Sequence, residues 1–465
     1  MTSAFPRLSR IFAHTALLPE GWADDVLIQV DEAGWIRRVT PGAKAEGAQR
    51  VAGPLLPGMP NLHGHAFQRA MAGLAEQAAS RDDSFWTWRN VMYGFVGRLG
   101  PEEAEAIAAQ LYVEMLEAGY TACAEFHYLH HAPDGSPYQD SSEMGQRHLK
   151  AASTAGIGLT LLPVLYAHSG FGGREPDPKQ QRFINNLSLF RNIYESLHKV
   201  ATHKNELQLG LAPHSLRAVT PELLQEAITG VRALDKDAPI HVHVAEQIGE
   251  VTDSLRWSGS RPVRWLLDNH ALDERWCLIH ATHMDRRELE DLAASGAIAG
   301  LCPTTEANLG DGLFPAVDYV RAGGRWGIGS DSHVTVDPWT ELRLLEYGQR
   351  LLYRRRNLLR PSEGGSVGRF LYQGALSGGA EACGRPIGAL AEGKRADLVV
   401  LDPECPVLWG KEKDQLLDAA VFASGGKVVR DVAVGGRWVV QESRHPLRDE
   451  VAARFRGAIE HLKGA

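Results

Sequence analysis

Short apolar runs recur along the whole chain, and in its middle they alternate with amphipathic patterns of helical period. Eight of these runs read as strands, and helix-like segments separate most of them. The eight runs are residues 55–62, 121–128, 159–166, 207–212, 240–245, 276–280, 297–302 and 325–329. Eight strands that alternate with helices over about 320 residues predict an α/β fold, a distorted (β/α)8 TIM barrel.

Two of the intervening segments carry clear signals for the start of a helix. Residues 101–118 begin at Pro101 and have Glu102 in the first turn, and residues 221–234 follow Thr220, a typical N-cap. These features predict helices over both ranges.

The two ends of the chain have a different pattern. Short β-branched runs bounded by Gly, Pro and Asp predict strands at 10–13, 26–30, 34–39, 396–401, 428–434 and 436–440. Two β-rich ends around a different middle predict a small composite β-sandwich domain from residues 1–56 and 384–465. The barrel would then occupy residues 57–383.

Composition and charge exclude several classes of protein. The 465 residues are 44% hydrophobic and 23% charged, and a formal net charge of −8 argues against a nucleic-acid surface. No apolar stretch reaches the roughly 18 residues of a membrane span, and no apolar segment typical of a signal peptide follows the N-terminus. The five cysteines form no disulfide framework. We therefore expect a cytoplasmic protein without nucleic-acid or membrane partners.

The first chemical signal is His63-x-His65, which directly follows an apolar run interrupted by Pro57 and Pro60. Histidines two apart on an extended segment point to the same side and can form half of a tetrahedral metal site. Two histidines on one strand face are also common as hydrogen-bonded core residues. Most histidines of this chain, however, fall at predicted strand ends, where barrel active sites lie. This distribution favours a metal site.

The predicted ligands of one metal ion are His63, His65, His243 and Asp331. His241 also lies on the fifth run, but His243 is nearer its carboxyl end, so His241 is interpreted as a buried layer residue. Three nitrogens and a carboxylate leave a position for water, whose pKa the ion lowers. Zinc and iron both accept this ligand set, and we expect zinc. The third and fourth runs contain no lysine that could bridge two ions, so we expect a single ion.

Other polar residues at the strand ends suggest catalytic and binding roles. Glu246, three residues after His243, is a candidate general acid or base, the alternative being a solvated loop carboxylate. His280 could hydrogen-bond the activated water or be a satisfied core histidine. Arg89 and Arg217 could each hold a carboxylate, unless they form surface salt bridges. Residues 170–178 form a Gly/Pro-rich loop that is a candidate lid or pocket wall.

Several motifs together resemble those of the amidohydrolase superfamily, in particular its mononuclear, cytosine-deaminase-like branch. They are the Pro-Gly-Met-Pro-Asn-Leu-His-x-His segment at 57–65, His-x-x-Glu at 243–246, His280, Ser-Asp at 330–331 and the tail 386–401. The resemblance covers nearly the whole chain. It implies the barrel, a composite sheet domain and a hydrolase mechanism.

A narrower resemblance is to the formimidoylglutamate deiminases of histidine degradation. Segments 65–73, 83–89, 124–128, 213–217 and 304–311 carry it. It implies that the substrate is bound by Gln68, Arg89, Tyr128, His214 and Arg217, and it implies a homodimer. The chain departs from the family at Pro303, where a Leu-Ser-Thr run is usual after Cys302; we expect the loop to tolerate this change.

The expected reaction is the hydrolytic deimination of N-formimino-L-glutamate, a small dicarboxylate amidine, to N-formyl-L-glutamate and ammonia. A metal-bound hydroxide would attack, with Asp331 and His280 taking the water proton and Glu246 giving a proton to the leaving nitrogen. The alternatives are a mononuclear deaminase of a purine, pterin or guanidino acid, an imidazolonepropionase-like hydrolase, and a metal-free barrel that acts as a binding protein.

Overall fold

The computed structural model describes residues 5–76, 85–202, 204–425 and 427–464, and the side chains of all of these except 85–87, 89–91 and 464. Within these ranges the strands are β1 (Arg10–Leu18), β2 (Gly21–Val30), β3 (Ile36–Thr40), β4 (Gln49–Arg50), β5 (Leu55–Pro57), β6 (Met59–Gly64), β7 (Tyr120–His127), β8 (Gly158–Leu165), β9 (Leu207–Leu209), β10 (Ala212–Pro213), β11 (Ile240–Val244), β12 (Trp276–His280), β13 (Ile298–Leu301), β14 (Arg325–Ile328), β15 (Leu398–Leu401), β16 (Val429–Val434) and β17 (Arg437–Val440).

The α-helices are α1 (Phe85–Val96), α2 (Pro101–Ala118), α3 (Glu143–Ala155), α4 (Leu187–Ala201), α5 (Pro221–Leu234), α6 (Ile248–Ser258), α7 (Pro262–Asn269), α8 (Arg286–Ser295), α9 (Pro303–Leu309), α10 (Ala316–Arg321), α11 (Pro338–Tyr353), α12 (Val367–Ala382), α13 (Asp414–Phe422) and α14 (Arg448–Gly464). Three short 3-10 helices are Ala66–Met71, Pro178–Gln180 and Pro406–Leu408.

The middle of the chain forms the predicted barrel. Its parallel strands form two arcs. The first arc contains β6, β7 and β8, and β8 also pairs with β9 and β10; the second arc contains β11, β12, β13 and β14 in that order. Backbone bridges between Leu211 and Ile240 and between Ser215 and His243 join the two arcs. The bridge from Gly64 to Asp331 closes the barrel between its first and last strands. The carboxyl ends of all strands therefore meet at one mouth.

Two of the eight predicted runs are each divided between two strands. The run 207–212 is interrupted at Gly210, where an added Cβ would lie 2.6 Å from the Pro239 carbonyl oxygen. The run 55–62 contributes β5 to the terminal sheet and β6 to the barrel. Gly58 separates them, and a Cβ there would lie 2.2 Å from Cγ2 of Thr121, so the crossing requires glycine.

The helix boundaries at 101–118 and 221–234 agree with those predicted. Pro101 and Pro221 each occupy the first turn, where the missing N–H costs nothing. The Glu103 side chain accepts the N–H of Gly100, and the Thr220 hydroxyl accepts the N–H of Leu223. Capping side chains thus fix where these two barrel helices begin.

Both termini build one sheet beside the barrel. Its order is β17-β16-β15-β5-β1-β2-β3, with β4 paired to β1. In this sheet β5 pairs antiparallel with β15. Since only Gly58 separates β5 from β6, the sheet leads directly into the barrel strand that carries His63. We propose residues 1–56 and 384–465 as this domain and 57–383 as the barrel. The last helix, α14, leaves the sheet and packs on α2, where Arg454 donates to Glu105 at 2.7 Å.

None of the helices in the described ranges combines the length and the apolar character that crossing a membrane requires.

Candidate active site

Four buried side chains at the barrel mouth converge on one point. One ligand atom from each of His63, His65, His243 and Asp331 lies within 4.8 Å of the others. The Asp331 Oδ1 atom is 3.4 Å from Nε2 of His63 and 3.3 Å from Nε2 of His65. Nε2 of His243 is 3.1 Å from Nε2 of His63. The structure therefore brings the four predicted ligands together from β6, β11 and the end of β14.

The imidazoles are held with their Nε2 atoms facing the cluster. Nδ1 of His65 donates to the Phe126 carbonyl at 2.9 Å, and Nδ1 of His243 donates to the His214 carbonyl at 3.1 Å. A carbonyl partner requires the proton on Nδ1, which leaves the Nε2 lone pair for a metal. Burial lowers the pKa of His63, His65 and His243, so the neutral, ligating form prevails. The four donors fit one divalent ion, and a bound water would be its fifth ligand.

The backbone around these residues is strained. Ala245, His280 and Asp331 have φ angles of 51°, 68° and 47°, in the left-handed region that non-glycine residues rarely adopt. Each such residue costs about 1–3 kcal/mol and persists only where its surroundings enforce it. These angles turn the chain at the carboxyl ends of β11, β12 and β14, so they aim side chains into the mouth.

Glu246 and His280 lie beside the cluster. Nε2 of His280 is 3.8 Å from Oε1 of Glu246 and 3.7 Å from Oδ2 of Asp331. Burial raises the pKa of Glu246 to about 7, so this carboxyl can exchange a proton near neutrality. Burial opposes the charged form of His280, but the nearby carboxylates, Glu246 foremost, raise its pKa to about 10. Glu246 and His280 are thus buried in the pocket rather than solvated.

Four of the five predicted substrate residues line one pocket with the cluster: Gln68, Tyr128, His214 and Arg217. Nε2 of Gln68 donates to the Tyr128 hydroxyl at 2.9 Å. Oε1 of Gln68 and Nε of Arg217 are buried and have no hydrogen-bond partner within the described part of the chain. Burial disfavours the charge of Arg217, yet Glu250 and Glu246 hold its pKa above the usual value. Arg217 therefore stays cationic, and its Nε–H is available to donate a hydrogen bond to a ligand.

The fifth predicted residue, Arg89, falls in α1, but its side chain lies outside the described residues. Neighbouring positions of α1 do reach the pocket, since Trp88, Met92 and Tyr93 line it. The structure brings the helix that carries Arg89 to the mouth.

The sequence interpretation missed part of the pocket wall. The wall residues that it did not name as site candidates are Trp88, Met92, Tyr93, Tyr166, Phe183, Leu309 and Ser332. None of the residues 170–178 lines the pocket, so the expectation that this loop forms a pocket wall was wrong, while its role as a lid stays a prediction. Aromatic residues on α1 carry no chemical signature in a sequence, and only the fold places this helix over the mouth.

Two further residues behave as the sequence suggested. His241 is buried, and its Nε2 donates to the Ala382 carbonyl at 2.7 Å, as expected for a layer residue. Pro303 occupies the first turn of α9, a position that needs no N–H. The Thr305 hydroxyl in the same helix lies 2.9 Å from that of Ser332, so the strand-seven loop is tied to the segment beside Asp331.

Glu125 is a buried acidic residue that hydrogen-bonds the backbone directly after the predicted ligand His65. Its Oε1 and Oε2 accept the N–H of Ala66 at 2.9 and 3.2 Å, and the Tyr112 hydroxyl lies 3.4 Å from Oε2. Burial raises the pKa of Glu125 to about 8. Ala66 follows His65 and begins the 3-10 helix that carries Gln68. Glu125 therefore fixes the junction between the metal ligand and a substrate residue.

Replacing Glu125 with alanine is expected to lower the free energy of unfolding by about 1–3 kcal/mol, because the buried N–H of Ala66 loses its acceptor. Urea denaturation in the presence of a chelator measures this loss without a contribution from metal binding. Tyr112→Phe leaves the Ala66 contact intact and should cost less. An unchanged stability of Glu125→Ala would show that the N–H finds another partner.

The sequence of this chain is similar to known protein families and to a group of relatives. It matches the model of the Amidohydrolase family over residues 55–439, and the model "Formimidoylglutamate deiminase HutF, N-terminal domain" over residues 8–53. A relative from Pseudomonas aeruginosa named formimidoylglutamate deiminase is 55% identical over 451 residues, which is 96% of this chain and 98% of the relative.

Solved structures are also similar to this chain. The crystal structure of an amidohydrolase from Brucella melitensis superposes with a TM-score of 0.92 at 50% identity, covering 98% of this chain and 100% of that one. An adenosine deaminase from Xanthomonas campestris, with bound zinc, has a TM-score of 0.81 at 21% identity over 99% of both chains. At this identity the second similarity shows the fold alone.

Proposed function

This chain belongs to the formimidoylglutamate deiminases of the amidohydrolase family, and we propose that it hydrolyses N-formimino-L-glutamate to N-formyl-L-glutamate and ammonia. The observation that carries the proposal is the placement of Arg217 in the pocket lined by the predicted ligands His65, His243 and Asp331; it is cationic, and its Nε has no hydrogen-bond partner among the described residues. A substrate with two carboxylates needs such a cation. A neutral nucleobase does not.

One divalent ion, most simply zinc and alternatively iron, would be held by His63, His65, His243 and Asp331. When bound, it supplies Lewis acidity that activates water at neutral pH. The mutual separations of the four ligand atoms and the carbonyl partners of two imidazoles support this assignment.

We assign roles in proton transfer to three side chains. Asp331 would accept the proton of the attacking water, and the His280 imidazole, 3.7 Å from the Asp331 carboxylate, would hydrogen-bond that water. Glu246 would give a proton to the departing nitrogen, because its carboxyl reaches the same pocket and titrates near neutrality. Nδ1 of His280 lies 3.1 Å from Glu306, which fixes the ring.

The remaining pocket residues would bind the glutamate half of the substrate. Arg217 would hold one carboxylate, and Arg89 on α1 would hold the other. Oε1 of Gln68, which has no hydrogen-bond partner within the described part of the chain, could accept from the substrate, and Tyr128 and His214 line the same pocket. Fixing the two carboxylates positions the formimino carbon at the cluster.

A panel of substrates tests this assignment. Ammonia release from N-formimino-L-glutamate should exceed release from a purine, a pterin or a guanidino acid by several orders of magnitude in kcat/KM, since only the first has two carboxylates for the arginines. Ring opening of imidazolone propionate, followed by absorbance, covers the remaining hydrolase alternative. A higher kcat/KM for any of these competitors would reject the proposed substrate.

Two properties of the protein in the cell also remain proposals. All five cysteines lie in the described ranges and are free, which suits a reducing cytoplasm. A homodimer is consistent with the exposed Leu351 and Leu352 on α11, which are 79% and 53% accessible. The mass in solution, measured by light scattering, decides whether the chain is a dimer.

A further inference from the structure

Asn61 lies where the barrel closes, and its side chain contacts both segments that supply metal ligands there. It is fully buried in β6, two residues before the predicted ligand His63. Its Oδ1 accepts the N–H of His63 at 3.3 Å and the N–H of Ser330 at 3.2 Å. Ser330 directly precedes the predicted ligand Asp331. One side-chain oxygen therefore joins the backbone beside two of the four ligands.

The amide nitrogen of Asn61 fixes the orientation of the side chain. Nδ2 donates to the Ser330 hydroxyl at 2.6 Å, and that hydroxyl lies 2.8 Å from Nδ1 of His333. Because two backbone N–H groups face the other end of the amide, that end must be the oxygen. Asn61, Ser330 and His333 are all completely buried. Since a buried donor that loses its acceptor costs about 1–3 kcal/mol, these bonds are not easily given up.

The backbone that Asn61 holds is strained at the ligand. Asp331 has a φ angle of 47°, a left-handed conformation that costs about 1–3 kcal/mol and persists only where its surroundings enforce it. The N–H of Asp331 donates to the His63 carbonyl at 3.0 Å, and its carbonyl accepts the N–H of His65 at 3.0 Å. The bond from Ser330 to Asn61 extends this pairing to the residue before the strained position.

We propose that Asn61 is a positioning residue of the metal centre, which holds His63 and Asp331 close together before an ion binds and so raises the affinity for a divalent cation. This role rests on the ligand set of the proposed function and extends it to a residue that does not line the pocket. Side chains that orient metal ligands raise affinity, because less of the binding free energy is then used to order the ligands.

A purely structural role for Asn61 is the alternative, and Thr160 provides the comparison. Thr160 is also completely buried, and its hydroxyl donates to the Cys383 carbonyl at 2.6 Å. It lies in β8, which supplies none of the four predicted ligands. Thr160→Val therefore removes a buried side-chain hydrogen bond from the barrel without altering a ligand segment, and it serves as the matched control.

The test removes metal from the protein with a chelator and measures zinc affinity by competition with a chromogenic chelator. Asn61→Ala should bind zinc roughly 10- to 100-fold more weakly, the usual effect of removing a group that supports a metal ligand. Thr160→Val should bind zinc within a few-fold of the unchanged protein. Unchanged zinc affinity in Asn61→Ala, or an equal loss in Thr160→Val, would overturn the proposal.

Co²⁺ in place of zinc reports the geometry of the ligands through its visible absorption. We expect the bands of Asn61→Ala to differ in position or intensity from those of the unchanged protein, and those of Thr160→Val to coincide with them. Identical spectra for all three proteins would contradict the assigned role. If Asn61→Ala fails to fold, Asn61→Ser replaces it with the same expected results, since the serine oxygen is one bond nearer the backbone.

Ser330→Ala separates the two ends of the Asn61 amide. This variant keeps both N–H groups that face Oδ1 and removes only the hydroxyl that accepts from Nδ2. Its zinc affinity should therefore fall less than that of Asn61→Ala. An equal or larger fall would assign the positioning role to the hydroxyl and reject the Asn61 oxygen.

Zinc affinity and Co²⁺ spectra are measured without substrate, so they separate this role from the proposed function. If the unchanged protein binds zinc but does not hydrolyse N-formimino-L-glutamate, the function fails while the affinities still test Asn61. If hydrolysis is normal and Asn61→Ala binds zinc as tightly as the unchanged protein, only the role of Asn61 fails.

Discussion

Replacing Glu246 with glutamine is expected to lower kcat by roughly 100- to 10,000-fold, the usual contribution of a general acid or base. Glu246 is buried in the pocket, and its Oε1 lies 3.8 Å from Nε2 of His280. Glutamine keeps the size of the side chain but cannot give a proton to the leaving nitrogen. Because Glu246 is not one of the four ligands, metal analysis should still find one ion per chain.

Glu250→Gln is the matched control for this loss. Glu250 is buried nearby, and its Oε2 accepts the N–H of Glu246 at 3.3 Å, a bond that a glutamine oxygen can also accept. This variant should keep kcat within a few-fold of the unchanged protein. A near-normal kcat for Glu246→Gln would remove Glu246 from the mechanism.

Replacing Arg217 with methionine should raise KM for N-formimino-L-glutamate roughly 30-fold or more. Removing one side of a buried charge pair costs about 2–5 kcal/mol, and every 1.4 kcal/mol is about tenfold in affinity. Methionine fills much of the same volume but leaves the substrate carboxylate unpaired. Steady-state kinetics with a fixed metal content measure the change.

Arg217→Lys separates charge from geometry. Lysine keeps the positive charge but loses the planar fork that holds a carboxylate with two hydrogen bonds, so KM should lie between those of the unchanged protein and Arg217→Met. Both variants need a thermal denaturation check, because Arg217 also lies near Glu250 and Glu246. A folded Arg217→Met protein with unchanged KM would place the substrate carboxylate elsewhere.

Much of the fold was predictable because most barrel strands are buried on both faces and therefore form apolar runs in the sequence. The helices at 101–118 and 221–234 were recognisable because proline and capping residues mark where they begin. The division of 207–212 into β9 and β10 was not, since it depends on the approach of Gly210 to the Pro239 carbonyl, which is distant in sequence.

The chemical centre was more predictable than the pocket around it. Barrel topology sends His63, His65, His243 and Asp331 to one mouth, so their positions at strand ends were enough. The strained φ angle of Asp331 was not visible in the sequence, because it arises from the chain turn that closes the barrel on Gly64.

The pocket wall depends on packing between distant elements. Tyr93 of α1 stacks on Phe183, with ring centroids 6.0 Å apart, although ninety residues separate them in the chain. No local pattern signals such a contact. Gln68 was identified as a substrate residue only through the family resemblance, whereas Arg217 was already a candidate because it follows the fourth strand-like run.

The most direct test of the central claim follows the products from N-formimino-L-glutamate with one metal ion bound per chain. Ammonia and N-formyl-L-glutamate should appear in equal amounts, both should stop after the ion is removed with a chelator, and both should return when zinc is restored. A metal-loaded, folded protein that releases no ammonia, or that releases it equally well without the ion, would contradict the account.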